Sequence, residues 1–101
     1  MAEVPIACTL SPDALRTRRQ GLLAGLLRRA RSHELTADGL RVVFAADSET
    51  LDKITQVVNA ERLCCRFLRF VITVAPDGAP IVLELSGPAG SREFIAGLLD
   101  L

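Results

Sequence analysis

Between Asp47 and Leu68 the apolar residues recur at helical spacing. At about 100° per residue, Leu51, Ile54, Val57, Val58 and Leu68 share one face. Three shorter stretches alternate with period two instead. Leu40, Val42 and Phe44 predict a strand over residues 40–45, Phe70, Ile72 and Val74 a second, and Ile81, Leu83 and Leu85 a third. Upstream, Leu15, Leu22, Leu23, Leu26, Leu27 and Ala30 form the stripe of a first helix, interrupted by Gly21 and Gly25. Phe94, Ile95, Leu98 and Leu99 give a short last one.

Local chemistry marks where these elements begin and end. Residues up to about Leu10 read as extended, and Ser11-Pro12-Asp13 opens the first helix, with a capping serine, a proline in the first turn and an acid near the positive dipole end. That helix is expected to run to Arg31 or Ser32. Asp38-Gly39 turns the chain into the first strand, and Asp47 or Ser48 caps the second helix. Pro76-Asp77-Gly78 marks a hairpin turn, Gly87-Pro88-Ala89-Gly90 breaks the third strand, and Ser91 is expected to cap the last helix.

The order is therefore α-β-α-β-β-α. It predicts a single α+β domain over residues 1–101, with a small three-stranded sheet, helices packed on one face, and the character of a truncated ferredoxin-like unit. Both sheet edges would be open, and Leu63 and Phe67 form an apolar i,i+4 pair off the main buried face. These two features predict a homodimer.

Composition narrows the function classes. The chain has 101 residues, with 12 Lys+Arg against 12 Asp+Glu, so no global field draws it to nucleic acid or a membrane. Arg16, Arg18, Arg19, Arg28, Arg29 and Arg31 cluster on the first helix, where a solvated polar face over the leucine stripe is the favoured account and an acidic partner or nucleic acid the alternative. Trp and Tyr are absent, which removes the usual platforms for stacked bases. There is no membrane-length apolar run and no signal-peptide pattern at the start, and Cys8, Cys64 and Cys65 are too few for a disulfide scaffold; a cytoplasmic location is expected.

One departure from the helical pattern carries chemistry. Glu61 falls near the centre of the apolar face, with Cys64 and Cys65 as its i+3 and i+4 neighbours. A carboxylate in such a place must be protonated, paired with a cation or bound to a metal, since burying it unpaired costs several kcal/mol, roughly.

The segment Glu61-Arg62-Leu63-Cys64-Cys65-Arg66-Phe67, followed by a hairpin and by Leu83-Glu84-Leu85-Ser86-Gly87-Pro88-Ala89-Gly90 with Phe94 beyond it, resembles a poorly characterised family of small bacterial proteins. In that family an E-R-x-C-C-P-F motif is followed by a strand and an L-x-L-T-G-P-x-G-x-x-x-F segment. Arg66 stands here where the family has proline, so the helix need not end at the cysteines in the same way. The resemblance implies that Glu61, Cys64 and Cys65 matter, and it supplies no reaction.

The residues themselves leave three uses open. An internal Cys64-Cys65 disulfide would be strained, because adjacent Cα atoms lie about 3.8 Å apart, short of the roughly 4.4 to 6.8 Å that disulfides adopt. Two thiolates and a carboxylate from one helical turn instead offer three ligands to a thiophilic ion such as zinc, copper(I), mercury(II) or arsenic(III), with a position left for water, substrate or a second subunit. Cys8 is a candidate further ligand, although a lone Cys among Ile6, Ala7 and Leu10 also suits a small core position. In the second use, Glu61 is the base and one cysteine the nucleophile of a thiol-dependent redox protein or enzyme. In the third, the cluster is inert core, with Glu61 paired to an arginine of the first helix. His33 is explained by the end of that helix, and the segment 87–92 by a turn and cap, with an anion site as the alternative.

Overall fold

The computed structural model describes residues 22–99 and 101, apart from the side chain of Cys64. The expected extended arm with Cys8, the helix start at Ser11-Pro12-Asp13, and Leu15, Arg16, Arg18, Arg19 and Gly21 lie outside the described residues. Among the described residues the elements are α1 (Ala24–Arg28), β1 (Ser32–Thr36), β2 (Gly39–Phe44), α2 (Ser48–Cys64), β3 (Arg69–Thr73), β4 (Ile81–Ser86) and α3 (Ser91–Leu99).

The four strands form one antiparallel sheet in the order β1-β2-β4-β3. The α+β class is as expected, and the expected three-stranded sheet is corrected to four. The strand missing from the sequence pattern is β1. Its Ser-His-Glu-Leu-Thr run is exposed over its first three residues and half-buried at Leu35 and Thr36, so it shows no alternation to read. It exists because it pairs with β2, from Ser32 opposite Val43 to Thr36 opposite Gly39, and because the Arg31 N–H donates to the Val43 carbonyl at 2.7 Å. For the same reason α1 ends at Arg28 rather than at Arg31 or Ser32, and His33 lies exposed on a sheet edge rather than beyond a helix end.

The chain runs from β2 through α2 to β3, and β4 then returns between them, which makes this portion a split β-α-β unit. Alternation along the strands sends Leu40, Val42, Phe44, Ile81, Leu83 and Leu85 into the core, where they meet Leu23 and Leu26 of the first helical segment, Ile54 and Val57 of α2, and Ile95 and Leu98 of α3. Phe70 and Ile72 face the same way, opposite Leu85 and Leu83. Val74, expected to continue that strand inward, lies past its end and is exposed.

Turn chemistry follows the sequence with one exception. Asp77 and Gly78 take φ of 62° and 69°, the left-handed pair a type I′ turn requires, and the Ala79 N–H closes onto the Pro76 carbonyl at 3.3 Å. Asp47 caps α2, accepting from the Thr50 N–H at 2.7 Å and the Thr50 hydroxyl at 3.0 Å. Ser91 is the exception. The Gly90 carbonyl accepts the Phe94 N–H at 3.0 Å, so Gly90 begins the helical hydrogen bonding, and the Ser91 hydroxyl is buried with no hydrogen-bond partner.

Candidate functional site at the end of the second helix

Four turns of α2 carry the chain from the Asp47 cap to the cysteines, with Ile54 and Val57 pinned in the core and Leu51 and Val58 half-buried beside them. That anchoring fixes the phase of the last turn. Glu61 is accordingly buried, at 2% exposure, and Cys65 is fully buried. The carboxylate thus does point into the interior, as its place on the apolar face requires.

Glu61 and Cys65 are joined twice. The Cys65 N–H donates to the Glu61 carbonyl at 2.6 Å, the last hydrogen bond of the helix. The Cys65 thiol also reaches the Glu61 carboxylate, Sγ to Oε2 at 3.8 Å, as donor to acceptor.

The helix stops at Cys65, whose φ of −108° and ψ of 75° leave the helical region. Arg66 and Phe67 form a turn, and the Leu68 N–H returns to the Cys65 carbonyl at 3.1 Å. Proline is therefore not needed at position 66 for the chain to leave the helix at the cysteines. The end of the helix also corrects the apolar face, since Leu68 owes its burial to the turn and not to helical phase.

Phe67 is likewise buried rather than exposed, which removes the expected Leu63/Phe67 surface pair; only Leu63 is exposed. The Phe67 ring packs edge to face on Phe94 of α3. Close by, a Cβ at Gly87 would collide with the Ser91 hydroxyl and stand 3.2 Å from the Phe67 carbonyl. The glycine lets the β4–α3 corner close against the turn that follows the cysteines. The two segments that carry the sequence resemblance thus touch in space, a contact that periodicity within either one does not reveal.

Among the described residues no three His, Cys, Asp or Glu side chains converge, so the described part of the cluster is the Glu61-Cys65 pair. Cys64 is the last residue of α2, and its side chain and Cys8 lie outside the described residues. His33 is exposed on β1. Arg29, one of the first-helix arginines considered as a partner for Glu61, pairs with Glu49 at 2.8 Å. A groove of about 280 Å³ between α1 and α2, bordered by Leu26, Arg29, Lys53 and Val57, is not lined by Glu61 or Cys65. No helix among the described residues is long and apolar enough to cross a membrane.

No protein-family model, no curated protein and no solved structure matches the chain.

Proposed function

We propose that the chain binds a thiophilic metal or metalloid ion at the C-terminal end of α2, through Cys64 and Cys65, with Glu61 as a third ligand or as the base that accepts a thiol proton. The contact between the buried carboxylate of Glu61 and the buried thiol of Cys65 carries this reading. Thiolate is the form that binds soft ions, and a bound cation favours two anionic ligands in an apolar setting that otherwise disfavours their charge. Cys8 is a candidate third thiol. A reducing, cytoplasmic setting suits Cys65, which forms no disulfide. The split β-α-β order supports a ferredoxin-like reading of the scaffold, with β1 occupying an edge position from the N-terminal side.

The same contact supports a second reading, a thiol-dependent redox protein or enzyme with Glu61 as base. Complete burial of Cys65 favours the ion, which needs only a narrow path to the sulfur, over a substrate that must present an electrophilic atom to it.

Anaerobic titration of the reduced protein with zinc, copper(I) and mercury(II), read by thiolate-to-metal absorption and by competition with chelators, tests the proposal. Saturable binding that is lost in the Cys64→Ser/Cys65→Ser variant is expected. Affinities equal to those of that variant would overturn it. A reactive, metal-free thiol would then favour thiol chemistry, and unreactive thiols an inert core.

A further inference from the structure

Alternation gives the sheet a second face, away from the helices. Three rows of residues cross it in register: Ser32, Val43, Val82 and Thr73; Glu34, Arg41, Glu84 and Val71; and Thr36, Gly39, Ser86 and Arg69. No described helix packs on these positions. Val43, Val71 and Val82 are half-buried and take no part in the core, whereas Glu34, Glu84 and Arg69 are exposed. A shallow groove of about 190 Å³ runs between Thr36, Arg69, Val71, Glu84 and Ser86.

The arrangement of charge about the midline of this face is specific. Arg41 on β2 and Glu84 on β4 are cross-strand neighbours on either side of it, as are Val43 and Val82 in the next row. We infer that a second copy of this chain docks on this sheet face, on which no described helix packs, about a twofold axis that runs along the strands between β2 and β4.

Such an axis exchanges β2 with β4 and β1 with β3 while it keeps each row at its own height. Arg41 then meets the partner's Glu84, and Glu84 meets the partner's Arg41. Val43 and Val82 meet each other's counterparts in the same way. Arg69 comes opposite Thr36 of the partner subunit, one alternate residue from the partner's Glu34, and that carboxylate can enter the groove beside it. Arg41 and Glu84 each acquire an opposite charge directly across the interface, Arg69 and the partner's Glu34 pair diagonally, and Val43 and Val82 leave water together, while Val71 lies against the stem of the partner's Glu34. A patch with random charges would not pair with its own copy. Within the chain Arg41 is 3.9 Å from Glu34, which leaves its guanidinium free to take a second carboxylate.

Aligned packing of two such faces, about 30° apart in strand direction, is a common way for sheets to meet. The patch spans roughly 17 Å along the strands and 19 Å across them. That is small beside the about 800 Å² that each partner contributes to a standard interface, so a dimer with a dissociation constant in the micromolar range is expected. This surface replaces the Leu63/Phe67 pair as the basis for a homodimer, and it does not depend on the ion site.

Sedimentation equilibrium of the full chain, with folding checked by circular dichroism, tests the inference. The wild type is expected to dimerise at tens to hundreds of micromolar, roughly. Arg41→Glu gives a face with only acids at the midline and Glu84→Arg one with only bases, so each variant alone is expected to dimerise at least about tenfold more weakly, at a cost of about 1.4 kcal/mol. Mixed in equal amounts, the two should associate again, since every midline pair in the mixed dimer is attractive. The mixing step separates a contact between copies from the cross-strand contact within one chain. A wild type that stays monomeric, single variants that dimerise as well as the wild type, or a mixture that fails to associate would each overturn the proposal.

Discussion

The ring of Phe94 stands edge-on to the ring of Phe67, with centroids 5.0 Å apart and planes at 87°. This contact joins α3 to the turn that ends the cysteine-bearing helix. Edge-to-face pairs add about 0.5 to 1.5 kcal/mol to the burial of their rings. Phe94→Ala is therefore expected to destabilise the fold by about 3 kcal/mol, measured by urea denaturation. The loss should be felt first at the turn, with faster hydrogen exchange at the Leu68 N–H than in β2 or β4. Uniform acceleration across the sheet would mean that the ring pair has no local role.

Gly87 and Ser91 should be coupled. A Cβ at position 87 meets the Ser91 hydroxyl, and that hydroxyl is buried with no partner to lose. Ser91→Ala removes an unsatisfied polar group and is expected to raise stability by about 1 kcal/mol. Gly87→Ala forces the two segments apart and is expected to lower it by about 2 kcal/mol. In the double variant part of that loss should return, because the atom met most closely is gone. A double-mutant cycle with no coupling energy would contradict this geometry.

The cap at Asp47 makes a prediction about pH. The hydrogen bond from the Thr50 N–H, then that from its hydroxyl, hold the Asp47 carboxyl below its ordinary value of 3.8, with a further small pull from Arg29. Because the folded value is the lower one, the unfolded chain binds the proton more readily. The contribution of the cap is present in full above the unfolded value and is lost as pH falls through the folded one. Asp47→Ala should accordingly lower the urea midpoint at neutral pH. The gap between variant and wild type should narrow as the pH drops below about 3.8. A gap independent of pH would mean that the charge on Asp47 is not what caps the helix.

The residues that were legible in the sequence are those whose local pattern and tertiary role agree. Leu40, Val42 and Phe44, like Ile81, Leu83 and Leu85, alternate because one sheet face is the core, and Asp47 caps α2 by its own side chain. Glu61 is legible because a carboxylate on an apolar stripe is anomalous wherever the partner lies. β1 is not legible because an edge strand with a single apolar residue is held by pairing to β2, which leaves no trace in its own periodicity. Phe67 is misread from the sequence for a different reason: a helical wheel continued past Cys65 assigns faces to a backbone that has already turned, and Leu68 is buried as expected although the turn, not helical phase, puts it there. Ser91 does not cap because Gly90, at φ 98°, takes the position before the helix and its carbonyl accepts the Phe94 N–H, so Ser91 is already the first helical residue.

Burial of Cys65 makes its reactivity a gauge of the site. In a Cys8→Ser/Cys64→Ser variant the one remaining thiol is fully enclosed and lies against Glu61, so alkylation must wait for the end of α2 or the whole fold to open. The folded protein is expected to react at least about a thousandfold more slowly than the urea-unfolded chain, since an opening free energy of about 4 kcal/mol gives that factor. Restoring Cys64 should leave this protection intact and add the second thiolate of the proposed site. Mercury(II) should then quench both thiols together at one ion per chain. Glu61→Gln keeps the shape of the side chain and a hydrogen-bonding oxygen but removes the carboxylate. It is expected to leave the fold and the slow labelling in place while it weakens zinc binding by about tenfold, about 1.4 kcal/mol, or shifts its dependence on pH. If zinc binds the variant as it binds the wild type at every pH, Glu61 is neither ligand nor base. If Cys65 labels at once in the folded protein, the enclosed thiol on which the site is built is not the one present in solution.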